Sequence, residues 1–174
     1  VIALILDDDD ELIGVKQTDG QKQIVIGTRN GYAIIFDEEE VRSMGRIARG
    51  VKGIKLRDGD EVVGMDTIKR DSEILTVTAG GYGKRTKVEE YTTHHRGAMG
   101  VINLRVTEKT GEVIGLKVVR DGQELMLIST NGIIIRTGLD KISVIGRASQ
   151  GVIIMKTAED DKVASMAILT QRAE

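Results

Sequence analysis

The chain has 174 residues, 40% of them hydrophobic and 30% charged, with a formal net charge of −2 and no cysteine. This is the balance of a folded globular chain rather than a disordered one, and without cysteine there are no disulfides, thiolate metal sites or cysteine nucleophiles. No apolar run approaches the roughly 18 residues of a membrane span, and Val1–Leu6 is too short for a secretory signal and has no basic leader. A cytoplasmic location is compatible with this composition and is expected. With three Tyr, one Phe and no Trp, no aromatic platform for single-stranded bases is expected. A negative sum does not exclude a nucleic-acid partner, because phosphate binding needs only a local basic patch.

In chain order, Val1–Leu6 reads as a strand, followed by the acidic run Asp7-Asp8-Asp9-Asp10-Glu11 and the apolar pair before Gly14. About fifty residues on, Val51, Leu56, Asp58, Asp60, Glu61 and Gly64 repeat Val1, Leu6, Asp8, Asp10, Glu11 and Gly14. A third copy starts at Val101 and a fourth at Val152, the last fading after Lys162-Val163-Ala164. Each unit has a turn at its centre, Asn30-Gly31, Gly80-Gly81 or Asn131-Gly132, whose glycines supply the positive φ that tight hairpins demand. Each also places an arginine four residues before a Gly-Val pair, at Arg46, Arg96 and Arg147.

The second unit predicts four strands, Glu61–Ile68, Glu73–Thr78, Gly83–Lys87 and Val101–Val106, short, rich in Val, Ile and Thr and bounded by turn residues. Glu73–Thr78 is apolar enough for a sheet covered on both faces. A four-stranded sheet recurring every fifty or so residues is the signature of an all-β, propeller-like array. One such unit cannot bury both faces, so neighbours must stack. The expected units are 7–56, 57–106 and 107–157, with 1–6 and 158–174 as flanking strands of missing or incomplete blades, as in a piece of a longer array. Exposed blade faces or strand edges then predict self-association.

The stretch Gly80-Gly81-Tyr82-Gly83-Lys84-Arg85-Thr86-Lys87-Val88-Glu89-Glu90-Tyr91 resembles one family. So do Asp60-Glu61-Val62-Val63-Gly64, Ser143–Val152 and Thr157-Ala158-Glu159-Asp160. The family is the C-terminal domain of bacterial DNA gyrase A, with the topoisomerase IV counterpart second, and the likeness runs nearly the whole chain. It implies a six-bladed β-pinwheel whose neighbouring blades exchange strands and whose basic outer rim wraps duplex DNA, supporting negative supercoiling. In that family, ATP hydrolysis belongs to gyrase B and the DNA-breaking tyrosine to the N-terminal part of gyrase A. The implied partners are therefore duplex DNA, that N-terminal region and gyrase B, with no cofactor and no membrane. The family's glutamine-led basic box of the first blade is absent, and the Arg-x-x-x-Gly-Val units are degenerate echoes of it. Tyr32, Tyr82 and Tyr91 lie within the repeats and receive no catalytic role, so no cutting or supercoiling is expected from this chain alone.

Wrapping needs cations spaced along a rigid curved surface, each neutralised phosphate contributing about −0.9 to the log–log salt slope. Distributed contacts must also offset roughly 1–6 kcal/mol of bending. The predicted DNA contacts are Lys84, Arg85 and Lys87 with Arg136 at the position matching Arg85; Arg46, Arg96 and Arg147 in the glycine-bearing connections; and Arg42, Arg49 and Lys52, with Lys55 beside them. The arginines beside glycine also suit a turn that defines the fold. The acidic clusters Asp7–Glu11, Asp58–Glu61 and Glu159–Asp161 fall at the junctions between units and read as a solvated rim away from DNA.

Other motifs carry less. Gly83-Lys84-Arg85-Thr86 has Thr78 where a phosphate loop needs glycine, and no helix follows. His94-His95 stand alone as metal ligands, the acidic spacing is not that of an EF-hand, and no Ser–His–acid set is evident. The alternatives to a DNA-wrapping module are a propeller-like protein scaffold, disfavoured by the scarcity of aromatic anchors, and an enzyme with a central-channel site, for which no constellation is seen.

Overall fold

The computed structural model describes residues 4–170. Its eleven strands are β1 (Gln23–Thr28), β2 (Tyr32–Asp37), β3 (Val62–Thr67), β4 (Glu73–Thr78), β5 (Tyr82–Lys87), β6 (Val101–Ile102), β7 (Val113–Val119), β8 (Gln123–Ser129), β9 (Ile134–Gly138), β10 (Val152–Ile153) and β11 (Val163–Thr170). They form three antiparallel sheets, ordered β3-β1-β2-β6, β10-β5-β4-β7 and β11-β8-β9. The fold is all-β and propeller-like, as the repeat predicts.

The four strands expected for the second unit do not share a sheet. β4 and β5 pair with each other, whereas β3 and β6 join the sheet of the preceding hairpin. Each of the first two blades is thus a hairpin flanked by two strands lent by the following repeat, and the third is a hairpin flanked by β11 alone among the described residues. Hydrophobic periodicity marks where strands are but not which hairpin they join. The last strand is also shorter than expected: only Val101 and Ile102 pair, and residues 103–112 cross to the next sheet. Leu4 to Leu6 form no strand, and Val1 to Ala3 lie outside the described residues. Leu12, Ile13 and Val15 occupy the repeat position of β3 but stay exposed and unpaired, because no described hairpin precedes them.

The hairpin turns recur with one geometry. Gly31, Gly81 and Gly132 have φ of 84°, 78° and 82°, while the preceding Asn30, Gly80 and Asn131 do not turn positive. Each is a three-residue loop closed by a left-handed glycine, rather than a two-residue turn needing two positive φ angles. A hydroxyl accepts the bond from the backbone N–H just past each turn: Thr28 from Tyr32, Thr78 from Tyr82 and Ser129 from Ile133, all at 3.2 Å.

The acids at the junctions divide. Asp7 to Glu11, Asp58, Glu61, Glu159 and Asp160 are exposed, as a solvated rim requires, but Asp60 and Asp161 are buried. Asp60 Oδ1 accepts the N–H of Asn30 at 2.9 Å, and Asp161 Oδ1 accepts those of Asn131 and Lys162 at 3.0 and 2.9 Å and the Thr130 hydroxyl at 2.7 Å. Each therefore fastens the turn of the preceding hairpin. A carboxylate serves there because several donors converge on one oxygen. The Ser129 hydroxyl, followed by Thr130 and the N–H groups of Asn131 and Lys162, holds the Asp161 carboxyl down at about 2. The unfolded chain takes up this proton first, near pH 4, so the contribution is complete above that pH and is lost as pH falls toward 2. Asp161→Asn should accordingly be less stable than the parent at neutral pH, with the gap closing in acid, as urea titrations at a series of pH values will show.

Leu75, Val77, Val119, Leu125, Leu127, Leu139 and Val163 close the space between the second and third sheets. Val25, Ala33, Ile35, Ile74, Tyr91 and Leu116 fill that between the first and second. Burying each such aliphatic side chain favours folding by about 1.5–3 kcal/mol, which is why the sheets stand only when stacked. Gly64 on β3 allows the close approach: a Cβ there would lie 3.0 Å from the Leu116 carbonyl oxygen on β7. Asp66 bridges the same gap, accepting the Val118 N–H at 3.0 Å and the Lys16 ammonium at 2.9 Å. Tyr91 donates its hydroxyl to Asn103, whose amide donates to Thr76 at 3.0 Å, and burial raises the tyrosine's pKa.

Candidate nucleic-acid interface

The ten cations singled out in the sequence separate into three groups. Lys84 and Arg85 are inside the protein. Lys84 is fully buried, its Nζ donating to the carbonyl oxygens of Gly146 at 2.7 Å and Arg147 at 2.6 Å. Burial pulls its pKa down to about 8 against the favourable field of Glu90, with Arg147 adding to the depression. Arg85, only 7% exposed, donates to Ile142 O at 3.0 Å and to Glu73 at 2.8 Å. With these donors engaged inside the fold, neither side chain is presented to a phosphate. Arg136 does hold the matching place, against Glu124 as Arg85 is against Glu73. It is exposed, because the segment around Val144 that covers Arg85 by pairing with it has no counterpart over β9 among the described residues.

The second group is structural. The Arg96 N–H donates to Glu40 Oε2 at 2.9 Å, its Nε to the Glu40 carbonyl at 3.2 Å and its guanidinium to Lys52 O at 2.6 Å. Arg147 repeats the pattern on Glu90 at 2.8 and 3.2 Å, and on the Ile102 carbonyl. The recurring arginine thus clamps each connection onto the connection before it and onto the 3-10 turn after the preceding hairpin. Arg147→Ala should lower stability by about 1–2 kcal/mol in urea unfolding while leaving the salt slope of DNA binding unchanged.

The third group is exposed: Arg42, Arg46, Arg49, Lys52, Lys87 and Arg136, of which Arg49 pairs with Asp7 and Arg136 with Glu124. Arg46 makes no side-chain hydrogen bond among the described residues, which include no hairpin before β1 to supply the partners that Arg96 and Arg147 have. Lys55, named with them in the sequence, belongs to this group, and the structure adds Arg105 and Lys156, all three exposed and without a side-chain hydrogen bond or ion pair among the described residues. Arg105 and Lys156 lie three residues past the ends of β6 and β10, and Lys55 holds the same repeat position in the first connection. The Lys55 N–H donates to Ala98 O at 2.9 Å and that of Arg105 to Ser149 O at 3.0 Å, so each backbone is fixed while its side chain is free. Equivalent places on successive connections turn one position into a stripe. Lys55 stood out in the sequence, but Arg105 and Lys156 did not; carrying Lys55 forward by one and two repeats would have found them.

Three separate segments, residues 22–69, 72–120 and 123–170, match the family described as "DNA gyrase C-terminal domain, beta-propeller". The chain belongs to that family. Each segment of this gyrase C-terminal domain spans a hairpin, the connection after it and the strand returned to its edge: β1 to β3, β4 to β7, and β8 to β11. DNA gyrase A of Halalkalibacterium halodurans is 58% identical over 167 residues, 96% of this chain and 20% of that protein. DNA gyrase A of Escherichia coli K12 is 44% identical over 165 residues, 95% of this chain and 19% of that protein. The chain thus spans about a fifth of the length of these relatives. It superposes with TM-score 0.89 on a solved gyrase A C-terminal domain, at 28% identity, covering 97% of this chain and 58% of that one. With the C-terminal domain of a DNA topoisomerase IV the TM-score is 0.91 at 30% identity, covering 97% of this chain and 53% of the other.

Proposed function

We propose that this chain binds duplex DNA without reading its sequence and bends it along the connections between blades, as a wrapping module of DNA gyrase A that supports negative supercoiling. The observation that carries the reading is the recurrence of Lys55, Arg105 and Lys156, exposed and unengaged among the described residues, at one position of three successive connections. Arg46, Lys52 and Lys87 extend the cationic surface, with Arg42, Arg49 and Arg136 as further contacts. Such a surface meets phosphates and leaves base edges alone, so its affinity depends on salt rather than on sequence. The chain contributes geometry; ATP hydrolysis and strand breakage belong to gyrase B and to the N-terminal region of gyrase A, its partners beside the nucleoid. Gyrase is favoured over topoisomerase IV by relatives at 42% to 58% identity that carry the gyrase A name.

The test is duplex binding by fluorescence anisotropy over a range of salt concentrations, on several unrelated sequences. A steep loss of affinity with salt, equal for all sequences, is expected. Failure to bind at the lowest salt, or a strong preference for one duplex, would overturn the proposal.

A further inference from the structure

The three connections share a fold but not a surface. The place before each Gly-Val pair holds Arg49, Met99 and Gln150 in turn, and the place after it holds Lys52, Ile102 and Ile153. The first connection accommodates a charged side chain at both places, so the fold does not demand carbon there. The middle connection, which has described connections on both sides, nonetheless presents Met99 and Ile102 at 42% and 43% exposure. Their backbone is held. The Arg57 guanidinium lies over the Tyr32 ring, 3.4 Å from its centre, and donates to the Met99 carbonyl at 3.0 Å. Arg147 of the following connection donates to the Ile102 carbonyl, and Ile102 pairs with Tyr32. Two cations of the stripe bracket the pair: the Lys55 N–H donates at 2.9 Å to Ala98 O, next to Met99, and Arg105 follows Ile102 by three residues.

We infer that Met99 and Ile102 lie against deoxyribose carbon of the bound duplex, as an apolar contact set between the phosphates that Lys55 and Arg105 meet. The inference rests on the wrapping reading and names a second, uncharged part of the same interface. Between one phosphate and the next a DNA strand offers its sugar, and a contact there reads no base. A segment whose backbone is already ordered loses little entropy in making it. A cation contact weakens as salt rises because it releases counterions, whereas the burial of carbon releases none. The two kinds of contact therefore separate in one titration. The cations set the slope of log affinity against log salt, and the apolar pair sets the height of the line.

The test is duplex binding by fluorescence anisotropy across salt concentrations, on the parent and on Met99→Gln/Ile102→Gln. This variant leaves the charge unchanged and places at 99 the residue type of Gln150. It should lose about tenfold in affinity at every salt concentration and keep the parent's slope. Met99→Leu/Ile102→Leu, which retains the carbon, should bind as the parent does. Circular dichroism must first show that the variants fold; Met99 lies outside any strand, so Met99→Gln alone, with a smaller parallel loss, serves where the double variant does not. Replacing thymine by uracil throughout the duplex should leave the parent's affinity unchanged, because the contact is to sugar and not to the thymine methyl group. A folded glutamine variant that binds as the parent does, one that changes the slope, or a loss of affinity on the uracil duplex would overturn the inference and leave the wrapping reading standing. A parent that binds no duplex at the lowest salt would overturn both.

Discussion

Replacing Lys55, Arg105 and Lys156 together by alanine is expected to make the log–log salt slope of duplex binding shallower by about 3, one for each phosphate contact removed. Affinity at low salt should fall for every duplex alike, because cations that meet phosphates carry no sequence information. The fold should not change. All three side chains are exposed and unengaged among the described residues, and the bonds that fix the Lys55 and Arg105 backbones come from N–H groups that alanine retains. Single variants should each shift the slope by about 1, with near-additive losses, since one repeat separates each position from the next. A triple variant that melts normally and keeps the parent's slope would show that DNA follows another path. Arg85→Ala is the informative contrast. Its guanidinium is occupied by Ile142 O and Glu73, so its loss should lower stability and leave the slope nearly unchanged.

Lys84→Met should destabilise the chain by about 1–3 kcal/mol, the cost of leaving polar groups without their partner. The lysine holds Gly146 O and Arg147 O, and with them the connection that the Arg147 clamp also fixes. Methionine fills the stem volume and supplies neither bond. The effect depends on pH in a definite direction. Burial, partly countered by Glu90, puts the folded pKa at about 8, whereas the unfolded side chain titrates near 10.4. Between these values the unfolded chain binds more protons, so stability attributable to Lys84 rises with pH; below about 8 the full cost of burying the charge is present. The stability gap between parent and Lys84→Met should therefore widen from about pH 8 to about pH 10 in urea titrations. A gap that stays constant would mean that Lys84 keeps its proton throughout. Since Lys84 touches no solvent, duplex binding by the folded variant should keep the parent's slope.

Much of the fold is legible in the sequence because it rests on local or periodic signals. The fifty-residue repeat, the Val- and Ile-rich strands and the Asn-Gly and Gly-Gly turns place β4 and β5 within a residue or two, since strand formation and left-handed glycine are properties of short segments. The arginine before each Gly-Val pair is visible for the same reason. Its dual reading, as a phosphate contact or as a fold-defining turn, could not be resolved there. The three hydrogen bonds of Arg96 join it to residues 44 and 56 positions earlier in the chain.

What the sequence determined by itself is the repeat, the all-β class and a resemblance carried by whole motifs. Only the tertiary structure decided which hairpin each strand joins, because β3 and β6 find their partners in the preceding repeat through long-range pairing that no periodicity encodes. It also decided which cations face water. Lys84 and Lys87 stand three residues apart on one strand, yet Lys84 is buried under the connection of the following repeat and Lys87 is exposed. A charge is available to DNA only where no neighbouring segment covers it, and that covering is a property of stacked blades rather than of any one of them.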